Sequence, residues 1–160
     1  MKPILSEVLS ILPADKARLY LGFCTPRMVI DLVSEGVDMF DTSMATYLAE
    51  NGQAFVFPNQ LAESDHWSQL ESHWIDLRRE EYKNDFAPLA SKCSCYTCQK
   101  HSRAYINHLL ATNELLAPIL LMIHNLHYYG IFFQTIRKLV SLGKLKLLQH
   151  VIVQTENKSY

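Results

Sequence analysis

Residues Cys93–Tyr105 read CSCYTCQKHSRAY. Three of the chain's four cysteines fall within six residues there, as C-x-C-x2-C, and the run leads straight into helix-like sequence. Thiolates spaced this closely can converge on one soft ion, and tetrahedral zinc takes four ligands from Cys sulfur and His nitrogen. The fourth ligand must come from elsewhere in the fold. His124, inside LLMIHNL (120–126), is the best candidate, because an imidazole facing a core needs a polar partner. His101 and His108 are its rivals, both tied to the cysteine knuckle or to the helix that follows it. Four protein ligands leave no open position, so one structural Zn2+ is expected rather than a catalytic ion. The plain alternative is a reduced cysteine cluster without metal. Cys24 is left over and reads as a small buried apolar residue.

The 160 residues suffice for one ordinary domain with a real core, and 49% hydrophobic with 19% charged residues argues for a globular chain rather than a disordered one. No transmembrane helix is expected, since no uninterrupted apolar run reaches about 18 residues. The N-terminus, MKPILSEVLSILPADKAR, lacks the features of a signal peptide. The cytosol is then the default compartment, where a tight cysteine cluster holds metal more often than a disulfide. A net charge of −1 carries no global signal for nucleic acid, so any such role must rest on local basic patches.

Working outward, residues 2–12 place Ile4, Leu5, Val8, Leu9 and Leu12 at helical spacing. RLYLGF (18–23) reads as a buried strand ending at Gly22. Thr25-Pro26 predicts a capped helix start, with Met28, Val29, Leu32 and Val33 inward and a stop near Gly36. VDMFD (37–41) is a second short strand. Strand, helix and strand in so few residues predict parallel β/α architecture. Asn51-Gly52 is a turn signal leading into a strand at 53–57, with which 74–78 can pair. Two helices follow the cysteines, at about 102–116 and from Pro118 to about Leu142, before Gly143. The expected divisions are 1–57, a polar loop at 58–73, a metal-binding part at 74–148 and a tail at 149–160.

The cysteine run, followed after twenty-five intervening residues by His124 in IHNLHYY, resembles the C-terminal zinc subdomain of the tRNA-guanine transglycosylase family. LPADKARLYLGF, GVDMFD and NGQAF extend the resemblance over most of the chain, from about Leu9 to Leu148. The resemblance implies an α/β fold: the last two strands of a (β/α)8 TIM barrel followed by a mainly helical zinc-binding subdomain. A closed barrel takes about 250 residues, so the chain is expected to be a C-terminal fragment, inactive alone, without the family's upstream base-recognition residues.

Family members exchange a guanine in tRNA anticodons for queuine or its precursor through an aspartate nucleophile. Asp41 matches that nucleophile and Gly22 a pocket glycine. The segment that should grip the anticodon loop is altered, with Ala45 for a proline and Tyr47 and Glu50 for two arginines. A carboxylate reverses the sign of the phosphate contact. This resembles the eukaryotic noncatalytic accessory subunit, which pairs with the catalytic queuine tRNA-ribosyltransferase subunit as a heterodimer and helps position tRNA. A fragment of a catalytic enzyme using Asp41, or a zinc-bound interaction module unrelated to queuine, are the competing expectations.

The resemblance further implies a dimer surface at His101, Tyr105, His108 and Leu120. Lys100, Arg103, Arg137, Lys138, Lys144 and Lys146 are tRNA-phosphate candidates or simply a solvated surface. Tyr128, Tyr129, Phe132 and Phe133 read as packing residues. An isolated piece of barrel exposes strand edges, so self-association as a homodimer is also expected. The implied location is cytoplasmic, with peripheral association at the mitochondrial outer membrane.

Overall fold

A computed structural model of the chain describes residues 2–56 and 74–144. The polar loop, the end of the strand at Phe57, Lys146 and the C-terminal tail lie outside the described residues.

Helix α1 (Lys2–Ile11) is followed by strand β1 (Leu19–Leu21), helix α2 (Pro26–Ser34) and strand β2 (Met39–Asp41). The Thr25 hydroxyl accepts the Met28 N–H at 3.3 Å, the cap foreseen from Thr25-Pro26. The strands pair parallel, with Leu19 opposite Met39, Tyr20 opposite Phe40 and Leu21 opposite Asp41. The β/α reading therefore holds. The burial expected for the first strand does not: Leu19 is 52% exposed and Leu21 67%. The pleat sends alternate residues to opposite faces. Tyr20 and Phe40 turn inward, Phe40 against the Phe133 ring at 5.5 Å. Leu19, Leu21 and Met39 turn to a face that no described layer covers.

Helix α3 (Met44–Glu50) was not anticipated. Its buried residues Met44, Ala45, Leu48 and Ala49 do carry the helical period. The Asn51-Gly52 turn leads to strand β3 (Gln53–Phe55), which pairs antiparallel with strand β4 (Trp74–Asp76) as expected. Gly52 adopts φ +69°, and a Cβ there would come within 3.3 Å of the Arg78 and Leu110 side chains, so both the backbone and the space favour glycine.

A 3-10 turn (Glu80–Tyr82) and the short helix α4 (Tyr96–Lys100), neither foreseen, precede α5 (Arg103–Ala111) and α6 (Leu116–Ser141). The last helix is the spine. Its buried residues include Leu121, Tyr128, Tyr129, Phe132 and Ile136, packing against α3, β3, α4 and α5. Tyr128, Tyr129, Phe132 and Phe133 are core packing, as read from the sequence. An 18-residue window of α6 reaches a mean hydropathy of 1.3, so by length and composition alone it could cross a bilayer, contrary to the expectation of no such helix. In this fold 44% of that window is buried, where the helix packs against α3, β3, α4 and α5.

Candidate metal centre

Two elements deliver the four donors. Cys93 and Cys95 lie in the approach to α4, and Cys98 lies within it. Cys95 is the helix cap, its Sγ accepting the Cys98 N–H at 3.4 Å. Gln99 Nε2 donates to the Cys93 carbonyl at 3.2 Å, closing the knuckle on itself. The fourth donor stands near the middle of α6. Thr97, fully buried, donates from its hydroxyl to the Leu120 carbonyl at 2.6 Å and locks α4 onto that helix one turn before His124.

His124 Nδ1 lies 3.7, 3.5 and 3.3 Å from the sulfurs of Cys93, Cys95 and Cys98. All four donor atoms fall within 4.8 Å of one another. A tetrahedral ion with bonds of about 2.3 Å to sulfur and about 2.0–2.1 Å to nitrogen has S···N edges of about 3.6 Å. The observed distances straddle that value. Of the histidines weighed from the sequence, His124 is the one brought to the sulfurs; His101 and His108 are not in the cluster.

The other ring nitrogen decides the tautomer. His124 Nε2 is 2.8 Å from the Phe55 carbonyl, which can only accept, so Nε2 carries the proton and Nδ1 presents its lone pair to the sulfurs. The Tyr128 ring lies against the imidazole with centroids 4.9 Å apart. Burial works against a charge on His124, yet its hydrogen bonds to Cys93 and Cys95 prevail and push its pKa up to about 9. Hydrogen bonding from Cys98 lowers the Cys95 thiol against the effect of burial, while the same bond, together with burial, raises Cys98. The sulfurs and the imidazole are close enough to share protons. A divalent cation would displace them, since thiolates and neutral imidazole are the ligand forms. Cys93 and Cys95 are 5% exposed, His124 is fully buried and Cys98 is half-buried, and four protein donors would complete the tetrahedral shell of an ion held there. This arrangement can brace two helices; it offers no position at which a substrate could meet the ion.

Asn125, a polar residue the sequence reading passed over, is buried with every donor and acceptor used. Its Oδ1 accepts the Phe55 N–H at 2.9 Å, and its Nδ2 donates to the carbonyls of Gln53 at 3.0 Å and Ala45 at 3.2 Å. An amide inside an apolar helical run was the available signal, because such a group must find partners.

The remaining predicted residues separate into groups. Asp41 stands exposed at the C-terminal end of β2, its carbonyl accepting the Gly22 N–H at 3.0 Å. Ala45 is buried under α6, and Tyr47 packs edge-on against Phe23 at 5.3 Å. Cys24 is fully buried, as expected, and burial pushes its thiol pKa up to about 12. His101 stacks on Tyr105 at 5.0 Å and meets Tyr96 edge-on at 5.7 Å, forming an aromatic cluster at the surface. His108 is exposed too. Leu120 departs from the expected contact surface: it is 2% exposed, in a small core with Leu109 and Ala117. Arg103 is likewise no free phosphate ligand, since it holds Asp85 at 2.9 Å and the Leu89 carbonyl at 3.0 Å.

The family model described as queuine tRNA-ribosyltransferase matches residues 1–158. Over 157 residues the chain is 41% identical to queuine tRNA-ribosyltransferase accessory subunit 2 of Drosophila yakuba, covering 98% of this chain and 36% of that protein. The like-named protein of Drosophila virilis is 42% identical over 153 residues, covering 95% and 36%. That of Drosophila melanogaster is 40% identical over 157 residues, covering 98% and 36%. The chain thus spans about a third of the length of these curated relatives, and their names agree with the accessory-subunit resemblance read from the motifs. With a Cys3His cluster assembled in space and a match running almost end to end, the chain belongs to the queuine tRNA-ribosyltransferase family.

Proposed function

We propose that this chain forms the metal-braced part of a noncatalytic accessory subunit of queuine tRNA-ribosyltransferase. In this reading it pairs with the catalytic subunit, helps hold tRNA and performs no base exchange by itself. The observation that carries it is about 40% identity, over nearly the whole chain, to proteins named as accessory subunits. The structure adds a physical argument. Ala45 is committed to packing, while Tyr47 and Glu50 stand exposed on α3, where the family resemblance expects anticodon-gripping arginines. A carboxylate at that place repels phosphate.

The ion is Zn2+ in this proposal, held by Cys93, Cys95, Cys98 and His124 and acting as a brace. Such an ion fixes α4 against α6 and so presents His101, Tyr105 and His108 as a docking surface for the catalytic subunit; aromatic clusters are common anchors of this kind. Lys100, Arg137, Lys138 and Lys144 supply the positive charge facing tRNA. The parallel β1–α2–β2 unit supports a place for residues 1–57 as the last β/α units of a (β/α)8 barrel, with 74–148 as the zinc-binding part. Cytoplasmic residence, with peripheral contact at the mitochondrial outer membrane, belongs to the same proposal.

The test is guanine exchange in tRNA by a protein carrying this chain, with and without a catalytic subunit. Exchange is expected only with the catalytic subunit present, together with co-purification of the two. Exchange without a partner, abolished by Asp41→Asn, would overturn the proposal and make Asp41 a nucleophile.

A further inference from the structure

Strand β3 is paired with β4 along one edge. Along a strand, residues two apart send their N–H and C=O groups to the same edge. Gln53 and Phe55 are such a pair, and their groups turn away from β4 toward α6. Two consecutive side chains of that helix receive them: Asn125 binds the Phe55 N–H and the Gln53 carbonyl, and His124 donates to the Phe55 carbonyl. Side chains thereby stand in for a neighbouring strand. Asn125 uses its second amide hydrogen on Ala45, inside α3. One fully buried amide therefore joins three elements, and the residue beside it is a donor of the metal cluster.

We propose that Asn125 is the positioning residue through which the metal centre fixes α3 and the open edge of β3. An ion on His124 Nδ1 fixes the ring and polarises its Nε2–H, strengthening the bond to the Phe55 carbonyl. The same peptide segment then presents the Phe55 N–H to Asn125, whose far end holds Ala45. Binding linkage is reciprocal, so whatever the ion does for α3, the docked α3 does for ion affinity. The surface of Tyr47 and Glu50, which reaches no ligand of the cluster, is placed by the metal through this amide.

The experiment uses the whole chain, with Co2+ as a spectroscopic substitute for the ion. Asn125→Asp keeps the acceptor for Phe55 but loses both amide donors; Asn125→Gln, with the same amide one methylene further out, is the second variant should the aspartate not fold. Metal affinity is read by titration and the ligand set by the cobalt absorption bands. Amide hydrogen exchange is measured across 44–55 and across 93–100, with and without metal. In the wild type, metal is expected to slow exchange in both segments. In the variants the cobalt bands keep their positions and affinity falls about 10-fold. Metal still protects 93–100 but no longer protects 44–50. Equal protection of 44–50 in wild type and variants, or unchanged affinity, overturns the proposal. It rests on Cys93, Cys95, Cys98 and His124 holding the ion: absent cobalt bands in the wild type would sink that reading and this one together. Normal bands with an α3 indifferent to metal would sink this one alone.

Discussion

The region around α6 and the region formed by α1, β1, α2 and β2 meet the same physical demand in opposite ways. Around α6, Thr97, His124 and Asn125 are all fully buried, and each has hydrogen-bond partners within the chain. Four metal donors converge there from two helical segments. On the other side, two three-residue strands form a sheet with a bare face, and Ile4 and Ile11 of α1 are 70% and 79% exposed. Around α6 the buried polar groups are satisfied within the chain, although Ile119, Leu126 and Ile131 of that helix stand exposed; in the second region one face of the sheet is bare of any described layer. Tyr129 joins them, stacking on Phe55 with centroids 5.4 Å apart and donating its hydroxyl to the Cys24 carbonyl at 2.7 Å. The difference teaches that the two regions share one apolar core yet differ at their margins: buried polar groups find partners around α6, whereas one face of the β1–β2 sheet has no described partner.

Removing the metal should have the largest effect. Structural zinc in small modules contributes on the order of 10–16 kcal/mol. A chelator, or acid that protonates the thiolates and imidazole, is expected to loosen α4 and its junction with α6 far more than α2. Circular dichroism and amide exchange on the metal-loaded and stripped chain check this; equal loosening of both regions would erase the contrast.

Phe55→Ala comes next. The ring is fully buried against Tyr129, and such truncations cost about 3–5 kcal/mol. Urea unfolding should show that loss, with both regions weakened because the ring sits at their junction. A loss below about 1 kcal/mol would mean the junction carries little of the stability.

Leu21→Thr should do least, within about 0.5 kcal/mol in the isolated chain, because its side chain contributes to no described core. A marked loss in the same urea experiment would show that self-association or another covering already protects this face, and the comparison would have to be redrawn.

Much of this contrast was legible in the sequence, and the gaps have physical reasons. Thr25-Pro26, Asn51-Gly52 and the C-x-C-x2-C run are local signals, in which backbone or ligand chemistry restricts the residue type, and each marked its element. Helix α3 carries its apolar residues at 44, 45, 48 and 49, a period present in the sequence but short enough to be overlooked. The exposure of Leu19 and Leu21 could not be read, because an apolar run shows what a strand would bury and not whether a second layer is there to bury it. Family resemblance places Leu120 at a contact surface and charge alone makes Arg103 a phosphate candidate, whereas Leu120 packs inward and Arg103 is occupied by Asp85 and Leu89. Such partners are set by tertiary contacts that no sequence window contains.

The most direct test of the central claim is metal stoichiometry with ligand assignment on protein purified without chelator. Elemental analysis together with X-ray absorption at the metal edge should find one zinc per chain bound by three sulfurs and one nitrogen, and His124→Ala should strip most of it. Protein free of zinc, or occupancy undisturbed by His124→Ala, would contradict the account.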